Sequence, residues 1–207
     1  MYVPRLLAIT DRRSLARDLA HWAEEMGRAG VPAIQIREKD LPDRELFALA
    51  RSLRRRLPPT TQVLVNGRAD VAWAAGCQGV HLPVREVSTS RLRRRFPPPF
   101  LIGRSTHSLE EVRREQAEGA DYVTYGPVFF TPSKAAHGTP VGPAGLAEAT
   151  AIGLPVLALG GVDGDRLDAV VRAGAAGAAG IRVFFDPAHA RRLVELSAAL
   201  FPPRQAP

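Results

Sequence analysis

The sequence predicts an α/β fold, a single (β/α)8 TIM barrel over residues 1–207, with 202–207 as a frayed tail. Three observations carry this. Short apolar runs recur eight times along the chain. Each is followed by a stretch of helical periodicity. The first run leads into Thr10-Asp11-Arg12-Arg13, without the glycine-rich turn that often opens a doubly wound open sheet.

The predicted strands are Leu6–Thr10, Ala33–Arg37, Gln62–Asn66, Gly79–Leu82, Phe100–Gly103, Tyr122–Gly126, Pro155–Leu159 and Gly177–Arg182. Several are apolar almost throughout, as strands covered on both faces are. Ser14–Ala29 places Leu15, Leu19, Trp22, Ala23 and Met26 on one helical side, and Asp43–Leu57 does the same with Leu46, Phe47, Ala50 and Leu53. Ser108–Gly119 opens with Ser-Leu-Glu-Glu, a capping-box pattern. Asp165–Gly174 and Pro187–Leu200 are the remaining clear helices, and Pro97-Pro98-Pro99 reads as a stiff turn.

Composition narrows the function classes. The length of 207 residues suits one domain with a sizeable core. No apolar run reaches the roughly 18 residues of a membrane span. Residues Met1 to Arg5 lack the pattern of a signal peptide, and the single Cys77 cannot form an internal disulfide, so a cytoplasmic location is expected. The net charge is +7, yet of the 28 basic residues only Lys39 and Lys134 are lysines. Arginines cluster at 54–56 and 93–95, near predicted helix ends, where cations suit the dipole. Aromatics are not interleaved with them and no zinc spacing is present, so nucleic acid is not an expected partner, nor is a membrane.

In such barrels chemistry collects where strands end. Strand two runs out through Gln35, Arg37 and Lys39, which alternation sends to one side. Burying them there calls for an anionic or polar partner, unless Arg37 and Lys39 pair with Glu38 and Asp40. Strand three ends at Asn66, a ligand-positioning or turn residue. Strand four carries His81, which also reads as a core histidine bonded to backbone, with Glu86 just beyond. Strand five leads to Ser105 and His107, which face a ligand or open the next helix. After strand six, Thr131, Ser133 and Lys134 form a hydroxyl-rich cationic loop suited to phosphate oxygens, with His137 close behind. Strands seven and eight end at Gly160-Gly161 and Gly180-Ile181-Arg182, the place of the usual phosphate site of this architecture, to which the Arg182 side chain can add a contact.

Taken together, Gln35-x-Arg37-x-Lys39, Gly79-Val80-His81-Leu82, Ile102-Gly103-x-Ser105-x-His107, Gly126-Pro127-Val128-Phe129, Thr131-Pro132-Ser133-Lys134 and Gly160-Gly161 resemble the thiamine phosphate synthase/TenI family. The resemblance runs from Ile9-Thr10-Asp11 to the last helix. It implies a homodimer and a small phosphorylated thiazole or thiamine ligand. In the synthase branch it implies that Gln35, Arg37, Lys39, Thr131, Ser133 and Lys134 hold a pyrimidine diphosphate bridged by Mg2+. A thiazole phosphate then sits on the backbone after strands seven and eight, and its nitrogen displaces pyrophosphate.

Two places depart from that pattern. Synthases carry Asn-Asp at the end of strand three and a second aspartate past His81-Leu82; this chain has Asn66-Gly67 and Glu86. A metal would rest on Glu86 and substrate phosphates, since magnesium often takes only one or two carboxylates. Asn66-Gly67-Arg68 and Gly103-Arg104-Ser105 resemble instead the TenI branch, which includes a thiazole tautomerase, a metal-free proton-moving isomerase. The histidine expected there is replaced by Pro127, which leaves His107 or His137 to stand in. Arg182 stands where the family usually has serine. The leading expectation is a TenI-like binder of thiazole phosphate or thiamine phosphate with isomerase-type chemistry, with Lys39, His107 and Lys134 as the catalytic candidates and no required cofactor. The alternatives are a synthase with Mg2+, and a non-catalytic regulator.

Overall fold

The computed structural model describes residues 2–131 and 139–201. Among these residues eight strands alternate with eight α-helices. They are β1 (Leu6–Ile9), α1 (Leu19–Arg28), β2 (Ala33–Ile36), α2 (Asp43–Arg56), β3 (Gln62–Asn66), α3 (Ala69–Ala74), β4 (Gly79–Leu82) and α4 (Thr89–Arg95), followed by β5 (Leu101–Thr106), α5 (Leu109–Glu118), β6 (Tyr122–Tyr125), α6 (Gly142–Thr150), β7 (Val156–Leu159), α7 (Leu167–Arg172), β8 (Gly177–Gly180) and α8 (Pro187–Leu200). Every strand pairs in parallel with the next, and β8 returns to β1 through Leu6 opposite Ala178, so the sheet closes into a (β/α)8 TIM barrel.

Two apolar layers follow from the two-residue alternation of a strand. Leu7, Leu64, Leu101, Tyr122, Leu157 and Ala179 point inward and fill the barrel. Leu6, Ala8, Ile34, Val63, Val80 and Ile102 point outward and pack under the helices. Trp22 of α1 is fully buried in that outer layer, and its indole N–H donates to the carbonyl of Phe184 at 2.7 Å, which ties the first helix to the segment after β8.

Local chemistry sets several boundaries differently from the periodicity. The first helix begins at Leu19 rather than near Ser14, because Asp18 caps it by accepting the His21 N–H. Leu15 still packs against the core from the preceding turn. Strand five runs on to Thr106, so Ser105 is a strand residue and not part of a helix start. The cap of α5 is Ser108, whose hydroxyl accepts the Glu111 N–H while the Glu111 carboxylate accepts the Ser108 N–H. Strand eight stops at Gly180, and Arg182 instead opens a 3-10 turn, Arg182–Phe184.

Candidate active site

The inward parity that fills the barrel with leucines continues upward into polar residues. Two residues beyond Ala33 comes Gln35, and two beyond Leu64 comes Asn66. His81, Ser105 and Thr124 follow Gly79, Gly103 and Tyr122 in the same way. These five side chains form the floor of a cavity of about 780 Å³ at the C-terminal ends of the strands, within the usual range for small-molecule sites.

Around the floor stands a cationic rim. Arg37 and Lys39 line it on the β2 side. The acidic neighbours that could have neutralised them are taken by other arginines. The buried Glu38 accepts from Thr10 Oγ1 at 2.5 Å and from Arg12 Nη1 at 3.2 Å. Asp40 receives a two-pronged contact from Arg12, with both N–O distances at 2.5 Å, and a third from Arg13 at 2.8 Å. Hydrogen bonding to Arg12 holds the Asp40 carboxyl well below the usual carboxylate range, so it remains an anion committed to that pair. Thr10 also accepts the Arg37 backbone N–H at 2.8 Å, which fixes the chain where it leaves β2. Among the described residues the Arg37 and Lys39 side chains therefore have no ion-pair partner and face the cavity.

The opposite rim is backbone. Gly160 and Gly161 after β7 have φ of +96° and +65°, and a Cβ on Gly161 would stand 2.7 Å from the Phe130 carbonyl oxygen. Only glycine allows that loop to lie so close to the segment after β6. Gly180, Ile181 and Arg182 line the same side. Arg166 donates to the Gly161 carbonyl at 2.7 Å and lies over the Phe129 ring at 5.2 Å, pinning the loop. Arg182 Nη2 donates to Thr131 Oγ1 at 2.9 Å. Thus the segment after β8 is bonded to the start of the hydroxyl-rich segment after β6.

The sequence-derived candidates Gln35, Arg37, Lys39, Asn66, Ser105, His107, Thr131, Gly160, Gly161, Gly180, Ile181 and Arg182 all line this one cavity. Ser133, Lys134 and His137 lie outside the described residues. His107 sits exposed on the rim, its backbone N–H held by Glu111 at 2.5 Å. His81 does not bond to backbone as a core histidine was expected to; it bonds to the side chains of Tyr122, Ser105 and Thr124. Burial foremost, with Arg104 and Arg37 nearby, pushes its pKa down to about 3, so the ring is neutral at physiological pH. Thr124, Phe130, Asp163, Asp165, Arg166, His189 and Arg192 also line the cavity and were missed. Thr124 alone had a signal, its inward parity two residues past Tyr122.

Among the described residues three buried side-chain atoms make no hydrogen bond, Gln35 Nε2, Gln62 Oε1 and Arg104 Nε, and of these residues only Gln35 lines the cavity. Gln35 is 1% exposed, and its Nε2 makes no hydrogen bond. A buried donor left unsatisfied costs about 1–3 kcal/mol, a cost that an acceptor atom placed in the cavity would relieve.

The carboxylates allow only a spare metal site. Among the described residues no group of three His, Cys, Asp or Glu side chains converges. Asp70, a possible substitute near β3, is bound by Arg68 Nη2 at 2.7 Å. Asp163 and Asp165 line the cavity beyond β7, and Glu86 is the carboxylate beside Gly67. Its Oε1 lies 3.9 Å from where a Cβ on Gly67 would stand, so it covers the ground of the aspartate absent there. The buried Arg104 holds the Glu86 loop by donating to the carbonyls of Val84, Glu86 and Val87. Its Nε stands 3.5 Å from Glu115, an ion pair too long for a hydrogen bond. A magnesium ion here would rest chiefly on substrate phosphates, with Glu86 as the nearby protein carboxylate.

Comparison with known proteins agrees with this geometry. The family model described as thiamine monophosphate synthase matches residues 6–184. The chain is 45% identical over 160 residues to the thiamine-phosphate synthase of Anaeromyxobacter dehalogenans, covering 77% of this chain and 72% of that protein. It is 39% identical over 193 residues to that of Roseiflexus castenholzii, covering 89% and 83%. The solved structure of a thiamine phosphate pyrophosphorylase from Pyrococcus furiosus superposes with a TM-score of 0.84 at 29% identity, covering 96% of this chain and 97% of that one. With a barrel, a two-rimmed cavity and a family model that spans most of its length, the chain belongs to the thiamine monophosphate synthase family.

Proposed function

We propose that this protein is a thiamine phosphate synthase, which joins a pyrimidine diphosphate to a thiazole phosphate and releases pyrophosphate. The observation that carries the proposal is the buried Gln35 Nε2, without a partner among the described residues, between a cationic rim and a glycine rim. A ligand with one phosphate needs one anion rim. Two phosphorylated substrates that meet over a shared polar floor need both.

In this reading Gln35 donates to the pyrimidine diphosphate and orients it on the floor. Arg37 and Lys39 take diphosphate oxygens, assisted by Thr131 and by Ser133 and Lys134. The backbone of Gly160, Gly161, Gly180 and Ile181, with Arg182, receives the thiazole phosphate. The carbon–oxygen bond to the pyrimidine methylene breaks, its electron pair leaves with pyrophosphate, and the thiazole nitrogen forms the new bond to that carbon. The rim cations stabilise the charge that develops on the leaving group, the usual source of the largest catalytic effect. Magnesium, when bound through Glu86 and the diphosphate, would supply further neutralisation of that charge.

The isomerase expectation has weaker support. Tautomerisation needs a histidine that exchanges a proton with the thiazole. Pro127 stands where that histidine is expected, and both ring nitrogens of His81 are engaged. Of the other described histidines that line the cavity, His107 and His189, both stand exposed on the rim. A homodimer is proposed with the synthase reading. The synthase reading is tested by supplying purified protein with the pyrimidine diphosphate, thiazole phosphate and magnesium and following both products by phosphorus NMR.

A further inference from the structure

The floor holds a hydrogen-bonded chain whose direction can be worked out. Strand register places His81 beside Gly103, Gly103 beside Tyr122, and Ser105 beside Thr124. Gly103 leaves a gap between the first and third of these strands. A Cβ there would stand 2.1 Å from Tyr122 Cζ and 2.4 Å from its hydroxyl oxygen. Through the gap the His81 and Tyr122 rings approach to 5.6 Å between centroids. His81 Nδ1 lies 3.1 Å from the Tyr122 hydroxyl and Nε2 lies 3.0 Å from Ser105 Oγ, with Thr124 Oγ1 further off at 3.5 Å.

A neutral imidazole has one donor nitrogen and one acceptor nitrogen. Tyr122 is fully buried, and among the described residues its hydroxyl bonds only to His81. If Nδ1 carried the proton, the tyrosine O–H would have no acceptor, at a cost of about 1–3 kcal/mol. The satisfied arrangement has Tyr122 donating to Nδ1, so that the imidazole proton sits on Nε2 and is donated to Ser105. With that lone pair of Ser105 Oγ taken, the serine's own proton is left for the cavity that Ser105 lines.

We propose that Tyr122 and His81 are positioning residues that hold Ser105 as a hydrogen-bond donor toward an acceptor atom of the bound substrate. The relay rests on the synthase reading only for the identity of that substrate. A purely structural histidine would fill the same space, yet the tautomer and the direction of each bond would then be immaterial.

Nitrogen NMR of protein labelled at histidine decides the first part without any turnover. The expected spectrum has His81 protonated at Nε2 and unprotonated at Nδ1, and Tyr122→Phe shifts it toward the other tautomer. A wild-type His81 protonated at Nδ1 overturns the relay. The second part compares two substitutions by kcat/KM in the synthase assay. His81→Gln carries an amide N–H2 that can replace the Nε2–H donor, and is expected to stay within a few-fold of the wild type. His81→Leu is expected to fall by about 10- to 100-fold, the loss of one buried hydrogen bond. Equal losses in the two variants would overturn the relay as well. Should the protein prove to have no synthase activity, the tautomer measurement still decides the relay independently.

Discussion

The floor and the rim of the cavity are built on opposite principles. On the floor, His81, Ser105, Tyr122 and Thr124 are bonded mainly to one another. On the rim, Arg37 and Lys39 stand without a counter-ion among the described residues, because Arg12 and Arg13 have engaged the carboxylates beside them. The contrast separates two jobs. A self-satisfied floor keeps its geometry whether or not a ligand is present. An uncompensated cationic rim is stabilised by the anion it receives. Gln35 belongs to the floor by burial and to the rim by its missing partner.

This division yields expectations of graded size. The rim is broken most directly by Arg37→Ala. Loss of a charge-assisted contact to diphosphate is worth about 1.5–3 kcal/mol, or roughly 10- to 150-fold in kcat/KM, and thermal stability should be unchanged. A large drop in melting temperature would instead mark Arg37 as structural.

The floor is probed by pH. Its buried His81 has its pKa lowered from 6.5 to about 3. The unfolded chain therefore takes up a proton below pH 6.5 that the folded protein refuses. The histidine's contribution is fully present above that value and is lost as pH falls toward about 3. By pH 5 the loss amounts to about 2 kcal/mol. Denaturant titrations at pH 7 and pH 5 should show that slope in the wild type and a correspondingly smaller one in His81→Gln. Identical slopes would mean that His81 titrates as a solvent-exposed group.

A smaller effect is expected where rim meets rim. Arg182 bonds Thr131 across the mouth. Arg182→Ala should raise KM for the thiazole phosphate by about tenfold, one hydrogen bond's worth, and alter KM for the pyrimidine diphosphate less. The reverse order would place Arg182 with the other substrate. The smallest effect belongs to Cys77, which lies away from both regions. Burial raises its thiol pKa to about 12, so a thiol reagent at pH 8 should label the folded protein far more slowly than the denatured one.

The strands were legible because a barrel strand has a short period and a buried face, and the same parity selected Gln35, Asn66 and Ser105 for the cavity. Contacts between distant segments were not legible. Nothing near Glu38 in the chain reveals that Arg12, 26 residues earlier, engages it. The bond from Arg182 to Thr131 spans 51 positions. The His81–Tyr122 pair depends on a gap left by Gly103 on the strand between them, which emerges only when three strands are in register. Glu86 was visible as an acid in about the right place. That it covers the space above Gly67 depends on the loop that Arg104 holds.

The central claim is that two phosphorylated substrates react across this cavity. Phosphorus NMR of the purified protein with pyrimidine diphosphate, thiazole phosphate and magnesium tests it most directly. The account predicts equal amounts of pyrophosphate and thiamine phosphate, with both formed roughly 10- to 150-fold more slowly in Arg37→Ala. Unchanged substrates in the presence of folded protein would contradict it.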